Sequence, residues 1–257
     1  VAVNFGLNND LIFKGGTLLA KSYADFYRMS EDLDFTLPMS ENATRTERSQ
    51  RIKPIKETLN NIEKMFISYI EDGMLFTVAT PLTGSNQSRQ YNMEIYYTSR
   101  LNNMKGRILI EIGLREQLIQ KPVTVPIKTL LHDQFLGKHK VFSIELQALS
   151  LQEAYAEKIR AALTREKLAI RDFFDLDYAI EKNIIELNSK DFLPLVKRKI
   201  KDLSGIKLPL SDENLQGLKQ KIQSELEPTL RTGDLQSFDL QRILEVLNKI
   251  TKGLYEQ

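Results

Sequence analysis

The hydrophobic pattern changes period once along this 257-residue chain, near residue 148. Before that point short runs alternate apolar with polar residues, the period-2 mark of half-buried strands, with helical spacing only in places. After it, apolar residues recur at helical spacing and no strand pattern is convincing. At about 150 residues per domain, the length fits one large domain or two modest ones. The expectation is an α+β domain over residues 1–148, followed by a helical bundle over 149–257.

Within the first part, Leu11-Ile12-Phe13 reads as a short buried strand ended by a tight turn at Gly15-Gly16. Thr17 starts a predicted helix through about Tyr27, with Leu18, Leu19, Tyr23 and Phe26 apolar. Asp32 to Leu37 alternates: Asp32, Asp34 and Thr36 on one side, Leu33, Phe35 and Leu37 on the other. Residues 45–71 carry Ile52, Ile55, Leu59, Ile62 and Phe66 at helical spacing. Strands are predicted over Met74–Thr80, Tyr91–Tyr97 and Arg107–Leu114, with a turn or loop from Pro81 to Gln87. Ser150-Leu151-Gln152-Glu153 reads as a capping box opening the helical part, and turns are expected near Asn188, Ser204-Gly205, Pro209 and Thr232-Gly233.

Composition removes several function classes. There is no Cys, which excludes a disulfide scaffold, a thiolate zinc site and a cysteine nucleophile. Two histidines, His132 and His139, cannot build a His-rich metal site and read as ordinary surface or loop residues. Thirty-six Lys and Arg stand against 34 Asp and Glu, a net charge of +2, so any nucleic-acid contact must be local. The one locally basic stretch is Val196-Lys197-Arg198-Lys199-Ile200-Lys201, either a solvated helix face or a phosphate-binding patch. No apolar run reaches the ~18 residues of a membrane span, so no membrane association is expected. The opening Val1-Ala2-Val3-Asn4 has neither a basic start nor a long apolar core, so no secretory signal is expected and a cytoplasmic location is the default.

The chemistry-bearing residues fall close together. The Gly15-Gly16-Thr17 turn lets backbone N–H groups approach an anion at a helix N-terminus, and Thr17 adds a hydroxyl. Shortly after, Asp32-Leu33-Asp34 places two carboxylates on one face of a strand. Adjacent carboxylates repel unless a cation neutralises them, and hard cations such as Mg²⁺ take oxygen ligands shared with substrate phosphates. The combination suits metal-assisted phosphoryl or nucleotidyl transfer. A Walker A loop is excluded, because Gly15-Gly16-Thr17-Leu18-Leu19-Ala20-Lys21-Ser22 lacks the glycine before the lysine.

Phe13-Lys14-Gly15-Gly16-Thr17 followed by Arg28-Met29-Ser30-Glu31-Asp32-Leu33-Asp34-Phe35 resembles the signature of the AbiEii/AbiGii-type nucleotidyltransferase toxins, within the DNA polymerase β-like superfamily. Ala156 to Leu163 around Lys158, then Arg165 and Arg171-Asp172-Phe173-Phe174-Asp175-Leu176, resembles that family's later lysine and aspartate helices. Thr17 stands where many relatives have serine.

The resemblance implies a polymerase β-like core with Lys158, Asp172 and Asp175 brought by the helical bundle to a cleft between the domains. It implies Mg²⁺, or Mn²⁺ in its place, on Asp32 and Asp34, with a third carboxylate from a neighbouring strand. Glu111, a lone acid among isoleucines, is preferred for that place over Glu94, with a salt bridge to Arg107 or Arg115 as its bland explanation. Gly15, Gly16 and Thr17 are expected at the nucleotide phosphates, and Lys158 at the departing pyrophosphate. Of Asp172 and Asp175, one is expected to orient Lys158 or the nucleotide and the other to pair with Arg165 or Arg171. Lys14 and Arg28 are either further site cations or structural ion pairs. The implied reaction moves an NMP from an NTP to an acceptor hydroxyl, with RNA such as a tRNA 3′ end as acceptor and an antitoxin as partner. The alternatives are a transferase acting on a protein or small molecule without a toxin role, and a nucleotide-binding or interaction module without catalysis.

Overall fold

The computed structural model describes residues 10–62, 76–99, 103–114, 117–130, 135, 144–187, 189, 191–208, 210–231 and 233–256. Arg115, His132, His139, Phe66, the Met74 end of one expected strand and the expected turns at Asn188, Pro209 and Thr232 lie outside them. The chain forms two compact units: residues 1–18, 31–118 and 122–148, and residues 19–30, 119–121 and 149–257. The architecture is mixed α+β, a small sheet with helices and a C-terminal helical bundle. Among the described residues no helix is long and apolar enough to cross a membrane.

The first unit holds a seven-stranded sheet of β1 (Ile12–Lys14), β2 (Leu33–Thr36), β3 (Phe76–Ser85), β4 (Gln90–Thr98), β5 (Lys105–Gly113), β6 (Val123–Ile127) and β7 (Ile144–Ala148). Their order is β3-β4-β5-β2-β1-β7-β6. Strand β2 runs antiparallel to β1 and parallel to β5, while β4 pairs antiparallel with both β3 and β5. Alternation sorts the side chains: Phe13, Phe35, Met93, Ile95, Ile110 and Ile112 are buried, and the Phe13 and Phe35 rings lie 5.2 Å apart. Helix α1 (Gly15–Leu18) opens directly from β1, and α2 (Arg45–Asn60) buries Ile52, Ile55 and Leu59 at one-face spacing. A full capping box starts α2. The Glu47 N–H donates to Thr44 Oγ1 at 3.2 Å, and the Thr44 N–H donates to the Glu47 carboxylate at 2.6 Å.

Three local differences from the sequence reading have physical causes. The helix expected from Thr17 to Tyr27 begins at Gly15 and closes as a π-turn over Leu19–Tyr23, because Asp25 and Phe26 take positive φ and end it. The segment expected as a loop from Pro81 continues β3 to Ser85. Leu82 is fully buried there, the pairing absorbs register shifts between Val78 and Thr83, and an edge strand tolerates Pro81. Strands β6 and β7 are additional; Ile144 faces outward and Pro126 interrupts the pattern, which obscures their alternation.

The second unit is helical: α3 (Leu151–Thr164), α4 (Ile170–Glu181), α5 (Leu193–Ile200), α6 (Asp212–Lys221), α7 (Asp234–Ser237) and α8 (Leu240–Glu256). Helix α8 buries Ile243, Leu247, Ile250 and Leu254, a three-four stripe. A β-carbon on Gly253 would stand 3.0 Å from Leu193 Cδ1, so glycine sets the close approach of α8 to α5. Only half of the expected capping box forms at α3. The Glu153 N–H donates to Ser150 Oγ at 3.1 Å, but the Glu153 carboxylate turns away. It accepts instead from the Ile119 and Gln120 N–H groups at 3.0 and 2.7 Å, fastening the 119–121 segment. Lys199 completes that arrangement, paired with Glu153 at 2.7 Å and Glu157 at 2.9 Å. The basic stretch 197–201 is therefore not one solvated face, since Lys199 is buried.

Candidate active site

The first unit gathers the diglycine turn and the acidic strand. Gly15 adopts φ +78°, a left-handed conformation suited to glycine. Asp34 packs directly against it: a β-carbon built on Gly15 would lie 2.8 Å from Asp34 Cγ and 2.9 Å from its Cβ. The missing side chain is what lets the carboxylate approach the backbone at the helix start. Antiparallel register places Lys14 beside Asp34. Thr17 is fully buried, and its Oγ1 donates to the Asp32 carbonyl, tying the start of the helix to the entry of β2.

Parallel pairing of β2 with β5 sets Asp34 directly beside Glu111, and Leu33 beside Ile110. Asp34 and Glu111 therefore share the sheet face opposite Ile110, Ile112 and Phe35, and Asp32 stands one residue before β2. All three are half-buried. Glu94 sits one strand further out, level with Leu109, and its Oε1 receives Arg107 Nη1 at 3.1 Å. Arg107 bonds Glu94 through one nitrogen only, and the residue opposite Glu111 on β4 is Asn92. Among the described residues no group of three or more His, Cys, Asp or Glu side chains is placed to hold a metal ion. Carboxylate oxygens are nevertheless the hard donors Mg²⁺ takes, and one or two of them completed by substrate phosphates suffice for it. Asp34 and Glu111, side by side in the pairing of β2 with β5, are donors of that type.

The second unit assembles a buried charge cluster around Lys158, on α3. Lys158 Nζ lies 2.8 Å from Asp172 and 2.7 Å from Asp175, both on α4. Asp172 also pairs with Arg165 Nη1 at 2.7 Å. Asp175 is fully buried and holds Arg28 through both carboxylate oxygens, at 2.5 and 2.8 Å, while the Tyr27 hydroxyl donates to it at 2.6 Å. Burial alone would raise the Asp175 pKa. The Arg28 and Lys158 cations outweigh it and hold the carboxyl well below the usual range. For Lys158, burial pulls the pKa down, but Asp172 and Asp175 more than compensate and raise it, so the ammonium stays charged. Burial, reinforced by Asp175, pushes the Tyr27 and Tyr155 hydroxyls far up, so both remain neutral. Three cations (Arg28, Lys158 and Arg165) stand against two carboxylates in this cluster.

Arg28 is the member whose role the sequence left open, and it is an ion-pair partner of Asp175 across 147 residues. No local pattern announces that pairing. The signal that does exist is the reverse one: the two aspartates of Asp172-Phe173-Phe174-Asp175-Leu176 stand among buried apolar residues and must find cations.

The family model described as "Nucleotidyl transferase AbiEii toxin, Type IV TA system" matches residues 2–246. No curated protein matches the chain. Two similar solved structures are JHP933 from Helicobacter pylori and MenT4, a nucleotidyltransferase toxin from Mycobacterium tuberculosis H37Rv. The first is 17% identical with a TM-score of 0.48, covering 99% of this chain and 88% of the other. The second is 18% identical with a TM-score of 0.48, covering 95% and 84%. With the family model spanning nearly the whole sequence, the chain belongs to the AbiEii nucleotidyl transferase toxins of type IV toxin–antitoxin systems.

Proposed function

We propose that this toxin transfers an NMP from an NTP to an acceptor hydroxyl on RNA, such as a tRNA 3′ end, in the cytoplasm and under the control of a cognate antitoxin. The observation that carries the reading is the packing of Asp34 against Gly15, which unites the diglycine turn with the acidic strand. In this reading the backbone N–H groups of Gly15 and Gly16 donate to phosphate oxygens, and Thr17 keeps the turn and β2 in register. Asp32, Asp34 and Glu111 would hold Mg²⁺, or Mn²⁺ in its place. When bound, the ion would neutralise phosphate charge and favour ionisation of the acceptor hydroxyl.

The acceptor oxygen forms a bond to the α-phosphorus while the bond from that phosphorus to the bridging oxygen of the β-phosphate breaks. The hydroxyl proton passes to a carboxylate, for which Glu111 is the candidate, and pyrophosphate departs. An ammonium has three donors. Asp172 and Asp175 receive two from Lys158, and the third is the one offered to the departing pyrophosphate. Both aspartates then act by positioning Lys158. Catalysis comes from placement and charge neutralisation, with no covalent enzyme intermediate.

The test is incubation with each labelled NTP, Mg²⁺ and total RNA, comparing the wild type with Asp34→Ala. Label in tRNA-sized RNA that disappears in the variant is the expected result. Label on protein or on a small molecule overturns the acceptor, and nucleotide binding without any transfer overturns the reaction.

A further inference from the structure

The sheet face that carries Asp34 and Glu111 continues outward along β5 and β4. Alternation puts Arg107 and Lys105 on the face of Glu111, and the β4 register sets Tyr96 opposite Arg107 and Thr98 opposite Lys105. The opposite face is the buried one, with Met93, Ile95, Ile110 and Ile112. From Glu111 to Lys105 is six residues, about 20 Å of strand. At the far end lies a shallow hollow of about 230 Å³ lined by Thr77, Tyr96, Tyr97, Thr98, Asn103 and Lys105. Lys105 Nζ stands 4.2 Å from the centre of the Tyr96 ring. Lys105 and Arg107 are exposed, and Arg107 bonds Glu94 through Nη1.

We infer that Tyr96, Lys105 and Arg107 form a landing strip for the single-stranded end of the acceptor RNA. The inference rests on the reading that RNA is the acceptor. A tyrosine ring offers a stacking surface to any base, and cations flanking it hold the backbone phosphates, a pairing of chemistries typical of sequence-tolerant single-strand binding. Charge complementarity favours this place. The chain has a net charge of only +2, so an RNA contact must be local, and the basic stretch at 197–201 has its central lysine buried in ion pairs. The strip instead sets two exposed cations well away from the carboxylates of Asp34 and Glu111, which would repel a phosphate backbone. Glu94 then serves to orient Arg107.

The experiment uses the full chain with fluorescein-labelled total tRNA. Anisotropy across a salt series reads binding, and transfer kinetics read KM for RNA and for NTP separately. Tyr96→Ala is expected to raise KM for RNA by about fivefold or more, with KM for NTP unchanged, and Tyr96→Phe is expected to behave as wild type. Lys105→Ala with Arg107→Ala is expected to reduce the slope of log affinity against log salt by about 1.4, two single-strand phosphates' worth. If the wild type labels RNA and these variants keep its KM and its salt slope, the strip is wrong and the reaction reading stands. If the strip variants lose RNA binding while the wild type binds RNA but transfers nothing to it, the reaction reading is wrong and the strip stands. A wild type that neither binds nor labels RNA overturns both.

Discussion

Replacing Asp175 by alanine tests the buried charge cluster. Asp175 has no exposed side-chain surface, and it is the partner of Arg28, Lys158 and the Tyr27 hydroxyl together. Arg28 is itself only 4% exposed. Removing the carboxylate strands a guanidinium away from water and leaves a buried hydroxyl without its acceptor. Breaking a buried pair from one side costs about 3–5 kcal/mol, because the surviving charge stays desolvated. At roughly 2–4 °C per kcal/mol for a chain of this size, the melting midpoint should fall by about 6–20 °C. Thermal denaturation followed by circular dichroism reads it. The control is Asp10→Asn, which breaks the exposed Arg51 pair, side chains 45% and 38% exposed, and should cost under about 1 kcal/mol. An Asp175→Ala variant that melts within about 2 °C of wild type would refute the reasoning, since the cluster would then not be held by that carboxylate.

The same cluster sets a pH dependence. The depressed Asp175 pKa means its stabilisation is complete above the ordinary carboxylate range and fades only as pH falls through the lowered value. The raised Lys158 pKa means its stabilisation is complete below the ordinary lysine range and fades only as pH climbs through the raised value. These two groups should therefore put no step in the wild-type stability between about pH 5 and pH 9, and a step near neutrality in urea titrations that Asp175→Ala abolishes would contradict the assignment. Lys199→Gln leaves Glu153 and Glu157 without their shared cation and should cost about 2–3 kcal/mol in urea denaturation; a neutral result would mean the pairs are not formed. Thr17→Val removes the donor to the Asp32 carbonyl and should cost about 1–2 kcal/mol, with Thr17→Ser close to wild type. Equal stability for valine and serine would show that the hydroxyl contributes nothing there.

Local pattern carried the parts of the fold that depend on local pattern. The alternation of Asp32 to Leu37 locates β2, observed over Leu33–Thr36, and the three-four spacing of Ile52, Ile55 and Leu59 locates α2. The parallel register that brings Glu111 beside Asp34 is a non-local choice, joining residues 77 apart in the sequence, and no spacing rule expresses it. The extension of β3 through Pro81 was hidden because Pro-Leu-Thr-Gly reads as a turn, whereas burial of Leu82 at the sheet edge decides otherwise. In sequence Lys199 joins its basic neighbours in one run, yet a helix points successive residues in different directions, and Lys199 turns inward to Glu153 and Glu157. Glu153 shows the same limit. Its spacing from Ser150 matches a capping box, but two backbone N–H groups and a buried lysine compete successfully for its carboxylate.

The union of the diglycine turn with the acidic strand is tested most directly by a double-variant cycle on Mg²⁺-dependent NTP binding, measured by calorimetry. Gly15→Ala places a methyl group where the Asp34 carboxylate now sits, and Asp34→Ala removes that carboxylate. Each alone should weaken Mg²⁺·NTP binding at least tenfold, and the double variant should bind no more weakly than the worse single one. Wild-type affinity in either single variant, or losses that multiply in the double, would contradict the account.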